Sequence, residues 1–137
     1  MEINNKGEIT YALDTCIEAN RKTGILRISQ EKYIKSVIHD FNLDNVEGKD
    51  TPAPSGELKE EDVPTTKEEI ESASQLPVRS AIGKLWWAAL ISRPDIVCAL
   101  HKCAAWQNKP SHKLFTYILL IIKYLKHTLK YAVTYRR

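Results

Sequence analysis

The feature that most constrains the fold is an apolar stripe of helical period in SHKLFTYILLIIKYLKHTLK. At about 100° per residue, five aliphatic side chains fall within one wedge of a helix: Leu114, Ile118, Ile121, Leu125 and Leu129. Three basic side chains fall within a separate wedge: Lys123, Lys126 and Lys130. Pro110 and Ser111 supply a start signal. The segment therefore predicts a long amphipathic helix that buries one face.

Two further helices are predicted before it, and they meet at LISRPDIVCAL, residues 90–100. The first has an apolar stripe of its own, made of Val78, Ile82, Leu85, Trp86 and Ala89. Pro94 fits a first helical position, and Arg93 before it is pushed towards an extended conformation. We interpret the stretch as a helix junction in which Asp95 caps the helix or pairs with Arg93 or Arg79.

The N-terminal block, residues 1–45, predicts a small β element followed by a helix. ITYALDTCIEA is rich in β-formers, NRKTG is a turn signal, and ILRIS alternates apolar and polar positions. In SQEKYIKSVIHDFNL, which Ser29 or Gln30 opens, the apolar residues recur at helical spacing: Tyr33, Ile34, Val37, Ile38 and Phe41.

Residues 46–75 are interpreted as an acidic, Pro-containing linker, because they hold few large apolar residues. The favoured hypothesis is an exposed linker in which TTKEEIESA forms one helical turn or two; the alternative is a linker that folds back on the basic helices. The predicted fold class is α+β, mainly α: a small N-terminal β element plus helix, the linker, and over residues 76–137 a three-helix bundle and a terminal strand, YAVTY. A strand at that position without a partner, and a start almost inside a strand, suggest a piece of a longer protein.

Charge is distributed unevenly along the chain. Residues 76–137 hold eleven Lys and Arg and a single acid, Asp95, a balance of +10, whereas residues 51–75 hold two bases and seven acids. A basic block of this kind is a candidate contact surface for a polyanion, since Lys is a point charge that binds phosphates without base specificity. The candidate contacts are Lys102, Lys109, Lys113, Lys123, Lys126 and Lys130. The alternative is a lysine-rich solvated surface.

Catalytic and metal-binding motifs are missing from the sequence. It has no GxxxxGK[ST] and no GxGxxG, and Asp95 as the sole acid of the helical block excludes two-metal catalysis by that block. Cys98 and His101 lie three apart, but a metal would need two more ligands, so we expect no metal site. The Trp86–Trp87 pair is interpreted as core plus an inter-domain face, in preference to a surface that stacks on exposed bases.

Compartment is predicted from the cysteines and the apolar runs. The three cysteines form no CxxC pair, no secretory signal is visible, and the longest apolar run, LFTYILLIIKYL, is too short for a bilayer. We expect an intracellular protein, cytoplasmic or also nuclear, that does not contact membranes.

Together, the motifs and their order resemble the reverse-transcriptase region of copia-type LTR retrotransposon polyproteins. The matching stretches are MEI, ILRISQEKYIKSVIHDFNL, TP, VRSAIGKLWW, SRPDI and H-x(11)-YLKHTLKYAVTY. In the family they look like LGxEI, a LSQxxYI helix, TPM, YRSAIGSLMYLA, TRPDI and H-W…RYLKGTxxYGLxY. The structural motif residues are Arg79, Ser80, Gly83, Arg93, Pro94 and Asp95.

The resemblance implies a position within the polyprotein. Residues 1–45 would end the polymerase region, and residues 76–137 would be the thumb and connection running into an RNase H-like domain. The polymerase Tyr-Val-Asp-Asp motif belongs upstream and the RNase H carboxylates downstream, so this chain alone is expected to be inactive and without a cofactor; a divalent metal such as Mg²⁺ is implied only for the parent polymerase. The implied partners are an RNA or DNA template–primer duplex, bound without sequence preference, and the remainder of the polyprotein.

The sequence also departs from the family pattern. Val78 replaces a Tyr, Trp86–Trp87 a Met-Tyr pair, and His127 and Ala132 each a Gly, while TYALDTCIEANRKTG is longer than a typical family hairpin. These changes suit a decayed or rearranged copy. Two other hypotheses stay open: a stand-alone or domesticated helical nucleic-acid-binding protein, and a structural connection whose basic surface meets another part of the polyprotein or an acidic partner.

Overall fold

The structure, a computed structural model, describes residues 7–137. This part of the chain begins with a three-stranded antiparallel meander. Its strands are β1 (Tyr11–Ala12), β2 (Thr15–Asn20) and β3 (Ile25–Ser29). Leu13 and Asp14 turn the first hairpin with positive φ values of 49° and 60°, and Gly24 ends the second turn at φ 68°. Positive φ at both central residues gives a two-residue turn the twist that its strands need. The predicted β element is confirmed; the MEI stretch of the family resemblance lies outside the described residues.

The first helix, α1 (Glu31–Asp40), follows β3 directly. Gln30 precedes it, but its side chain does not cap the helix; it is buried and hydrogen-bonds the Ser92 hydroxyl over 2.7 Å. The predicted apolar face is confirmed, since Ile34, Val37 and Ile38 are all buried. The residue that precedes α1 therefore also ties the helix to the helix junction, 62 residues later.

One short helix forms inside the acidic linker. This is α2 (Lys67–Ser74), two turns long, in the stretch for which the sequence predicted one turn or two. Its cap is Thr66, whose hydroxyl accepts a hydrogen bond from the Glu69 amide over 3.3 Å. Ala73 on α2 is buried, so the linker contributes to the core at this end.

The predicted bundle forms from three helices: α3 (Val78–Ile91), α4 (Val97–Ala104) and α5 (His112–His127). Ser111 caps α5 by accepting from the Leu114 amide over 3.1 Å. The α5 stripe is confirmed within the helix, where four of its members are at most 1% exposed: Leu114, Ile118, Ile121 and Leu125. Leu129 lies beyond the helix end and is half-buried. This stripe packs with α1, α3 and α4 in one core.

The terminal strand, β4 (Val133–Arg136), is confirmed, but the expectation that it lacks a partner is wrong. It pairs antiparallel with β3, with Val133 opposite Ile28 and Arg136 opposite Ile25, and completes a sheet of order β1-β2-β3-β4. Every residue of β3 is half-buried, so the alternation that its sequence indicated is not seen in its burial. The backbone of β4 is thus paired along one side from within the chain.

The fold class is therefore α+β, as predicted, with a four-stranded antiparallel sheet and five helices in the described residues. Within residues 7–137, no helix is both long enough and apolar enough to cross a membrane.

Candidate nucleic-acid interface

The SRPDI stretch folds as the predicted junction, around a buried arginine. Arg93 is 1% exposed, and Pro94 begins a 3-10 turn that ends at Ile96. The guanidinium of Arg93 meets the Asp95 carboxylate with two hydrogen bonds, of 3.1 and 2.8 Å. It also donates to the carbonyl and the hydroxyl of Thr128, over 2.9 and 2.6 Å. Asp95 thus pairs with Arg93, one of its two predicted partners.

A tyrosine that no sequence signal pointed to closes this junction. The hydroxyl of Tyr124 on α5 donates to Asp95 over 2.7 Å, and the Arg93 guanidinium lies 5.5 Å from the Tyr124 ring centroid. Burial opposes ionisation of Asp95, but the hydrogen bonds from Arg93 and Tyr124 outweigh it and hold the Asp95 pKa below its ordinary value. Burial and the bond to Asp95 raise the pKa of Tyr124. The cluster, named the Arg93 junction below, joins the α3–α4 corner to α5.

The other predicted motif residues lie on the surface. Arg79, Ser80 and Gly83 are exposed on α3, and Arg79 donates to Asn108 Oδ1 over 2.9 Å instead of binding Asp95. The space beside Gly83 is open, because a Cβ there would meet nothing within 4 Å. Of the tryptophan pair, Trp86 is half-buried against the core and Trp87 is 37% exposed.

The acidic linker does not extend into solvent but runs along α5 from the end of the helix to its start. At the far end Gly48 crosses the backbone of His127, where an added Cβ would stand 2.8 Å from the His127 Cβ. Asp50 Oδ1 lies 3.1 Å from Nε2 of the same histidine, a residue that departs from the family pattern. At the start of α5, Ser72 Oγ is hydrogen-bonded to His112 Nε2 over 3.0 Å. The linker therefore folds back on the basic helices, as the alternative hypothesis for this stretch predicted.

Between these ends, three of the six predicted contact lysines meet linker carboxylates. Lys102 lies 3.4 Å from Glu57, Lys109 3.1 Å from Glu60, and Lys113 2.8 Å from Asp62. We call Lys102, Lys109 and Lys113 the lysine group. Its members come from α4, the α4–α5 loop and the first turn of α5, and one stretch of linker, residues 57–62, joins them.

Asp62 is the least exposed of the three paired carboxylates of this stretch, at 17%. Its Oδ2 accepts a hydrogen bond from the Lys59 amide over 2.8 Å, and this bond closes the 3-10 turn Glu60–Asp62. The hydrogen bond from Lys113, followed by that from Lys59, lowers the pKa of Asp62. The same contact raises the pKa of Lys113. Ionisation of both partners is therefore favoured in the folded chain.

The remaining three predicted lysines, Lys123, Lys126 and Lys130, differ in their contacts and exposure. Lys126 donates to three carbonyls just after α1, those of Leu43, Asp44 and Val46, over 2.9, 2.5 and 2.6 Å. Lys123 is half-buried and its carbonyl accepts from the Lys49 amide, whereas Lys130 is exposed. Lys126 is thus committed to holding the loop after α1, which the sequence did not indicate.

Five of the eleven basic side chains of the helical block pair with carboxylates in the folded chain. Besides the lysine group, Lys84 on α3 lies 2.6 Å from Asp40 on α1, and Arg93 meets Asp95. Four of these five carboxylates belong to residues 31–75, which hold twelve acids and five bases. The structure therefore pairs three of the six candidate lysines with acids, and does not gather all six on one uncovered surface.

A cleft lies where the linker crosses α4 and α5. It has a volume of about 290 Å³, and its apolar walls come from both sides: Pro52, Pro54 and Leu58 from the linker, Trp106 from the α4–α5 loop and Tyr117 from α5. Lys102 stands at its edge. The linker thus leaves unfilled space between itself and the bundle.

The chemistry of the donor groups gives no fit for a divalent metal. The carboxylate of Asp95 already accepts from Arg93 and Tyr124, and residues 7–137 hold no group of three or more His, Cys, Asp or Glu that could bind a metal ion. Cys98 is exposed, whereas Cys103 is buried, and burial raises the pKa of its thiol to about 11. We derive no chemistry through a metal for this chain.

Comparison with known proteins adds a relative. The chain is 32% identical over 129 residues to the retrovirus-related Pol polyprotein from transposon TNT 1-94 of Nicotiana tabacum. The chain is related to a retrotransposon Pol polyprotein. The match covers 93% of this chain but only 10% of the polyprotein's length. No protein-family model matches the chain, and no solved structure does.

Proposed function

We propose that this chain is the part of a copia-type reverse transcriptase that follows the polymerase palm and leads into RNase H, and that it holds template–primer duplex by its phosphates. The observation that carries the proposal is the order of motifs from ILRISQ through SRPDI to YLKHTLK, in a chain related to a Pol polyprotein over 93% of its length. In this role the chain supplies contacts and spacing, and the chemistry takes place elsewhere in the polyprotein.

The Arg93 junction supports the connecting role. It fixes the corner between α3 and α4 against the end of α5, from which the chain turns into β4. An element that passes from one catalytic domain to the next needs a fixed angle, and a buried bidentate arginine gives one. The family motif residues at this corner therefore act in architecture rather than in catalysis.

Duplex binding through phosphates is tested by its dependence on salt. We expect filter binding of a random-sequence duplex to weaken log-linearly as salt rises, with little difference between sequences, because released counterions drive the binding. A flat salt response would overturn the proposed contact. Exchange of Lys123 and Lys130 for Glu should weaken binding, whereas Lys126 is left unchanged because its loss would release the loop after α1.

A second candidate function is a purely structural connection. The specific observation in its favour is that Lys102, Lys109, Lys113 and Lys126 all have partners within the chain. On this hypothesis the basic side chains hold the linker and the loops in place. A chain that folds fully yet binds no duplex at any ionic strength would favour the structural connection over phosphate binding.

A further inference from the structure

The linker is held on the lysine group by charge, over a surface that stays open to solvent. Five of the six charged side chains in the three pairs are between 44% and 76% exposed, and only that of Asp62, at 17%, is largely covered. Exposed ion pairs of this kind contribute little to stability and weaken as salt rises. Residues 57–62 are therefore attached by contacts that are individually easy to exchange.

Apolar packing adds one side chain to this attachment, that of Leu58, which packs against the core. The cleft of about 290 Å³ lies directly beneath the linker at Pro54 and Leu58, and Leu58 is only half-buried. Lifting residues 57–62 away would thus break the core contact of a single apolar side chain.

A phosphate and a carboxylate are interchangeable partners for lysine. The ammonium group is a compact point charge with rotatable donors, and it does not require the fork geometry that arginine imposes. Residues 57–62 present three carboxylates to three lysines within six residues of chain. The linker therefore offers the lysine group the same chemistry as a stretch of nucleic-acid backbone.

We infer that the lysine group is a phosphate-binding surface and that linker residues 57–62 are its internal competitor, which duplex must displace in order to bind there. This inference rests on the proposed function and names the site and its regulation. The linker lowers the affinity for duplex, and it also keeps the lysines from binding shorter or weaker polyanions. Release of the linker, by whatever means, strengthens the grip on duplex.

The test neutralises the competitor without touching the lysines. The variant carries Glu57→Gln, Glu60→Gln and Asp62→Asn; the new Asn keeps an oxygen for the Lys59 amide. Its matched control neutralises three exposed acids that form no ion pair within residues 7–137, by Glu47→Gln, Glu68→Gln and Glu71→Gln. Both variants gain the same net charge, so any general electrostatic attraction to duplex rises in each.

We expect the competitor variant to bind a random-sequence duplex at low ionic strength about fivefold or more tightly than the control, as three released lysines would give. Equal affinity of the two variants would overturn the inference. If the unaltered chain binds duplex with a log-linear salt dependence while the variants are equal, the proposed function stands and only the internal competition falls. If neither variant nor the unaltered chain binds, the proposed function falls and the inference with it.

Hydrogen exchange provides a second readout on the unaltered chain. The amides of Asp62 and Val63 bond the carbonyls of Lys59 and Glu60 in the 3-10 turn. Saturating duplex should speed their exchange, whereas the Ile70 amide, which bonds Thr66 within α2, serves as an internal reference. Unchanged exchange across residues 57–63 in a chain saturated with duplex would also overturn the inference.

Discussion

The Arg93 junction and the lysine group both join cations to carboxylates across the bundle, yet their surroundings are opposite. Arg93 is 1% exposed and its guanidinium donates to groups on two neighbouring elements, whereas Lys102, Lys109 and Lys113 lie at the surface with one acid each. A buried charge that loses its partner destabilises the fold strongly, whereas an exposed charge that loses its partner is solvated by water with little loss of stability. The first contact is therefore permanent architecture, and the second can be exchanged.

The strongest way to test this contrast is to remove Arg93. Arg93→Ala should lower the free energy of unfolding by about 3–5 kcal/mol, because it leaves Asp95 without its cation and removes both donors to Thr128. Urea denaturation followed by circular dichroism measures the change. Arg93→Lys is the matched control: it keeps the charge but loses the bidentate geometry, and should recover only part of the loss. A lysine variant as stable as the original chain would contradict the geometric role.

The loss of folding stability on acidification should depend on Asp95. Its pKa is held below the ordinary 3.8, so its contribution is complete above that value and is lost as pH falls through the lower, folded-state pKa. Asp95→Asn should destabilise the chain by about 2 kcal/mol at neutral pH, as expected for hydrogen bonds to a charged group. The variant should also lose less stability than the original chain between pH 4 and strongly acidic solution. Parallel pH curves for the two chains would show that Asp95 does not titrate as described.

A smaller effect is expected where the junction meets α5. Tyr124→Phe removes only the hydroxyl that donates to Asp95, and should cost about 1 kcal/mol. Because that hydrogen bond helps to lower the Asp95 pKa, the same variant should begin to lose stability at a higher pH on acidification. Denaturation midpoints across the acid range measure both effects. Tyr117→Phe, a half-buried hydroxyl remote from Asp95, is the control and should leave the loss of stability on acidification unchanged.

The two regions also differ in how far the sequence predicts them. Pro94 and the spacing of Arg93 and Asp95 are local signals, and they predicted the junction and its ion pair. The lysines of the lysine group could be predicted as candidate phosphate contacts from their charge. Their acidic partners, however, lie 45 to 51 residues away, in a stretch whose composition indicates a solvated linker. No periodicity connects Lys113 to Asp62, and nothing local predicts that Lys126 donates to carbonyls after α1. Tertiary approach decides these contacts, whereas helices and their junction follow from neighbours in sequence.

The smallest effect is expected from the lysine group itself. Exchange of Lys102, Lys109 and Lys113 for Gln should change the urea midpoint only slightly, and the difference from the original chain should vanish at high salt, where exposed pairs are screened. The comparison is with Lys84→Gln, which breaks a pair of similarly exposed side chains, Lys84 and Asp40, outside the linker. Both should cost little, yet only the triple variant should speed exchange of the amides in residues 57–63, because those lysines contact that stretch and Lys84 does not. A large loss of stability in the triple variant would contradict the contrast with Arg93, since it would make the linker a fixed part of the core rather than an attachment that a polyanion can replace.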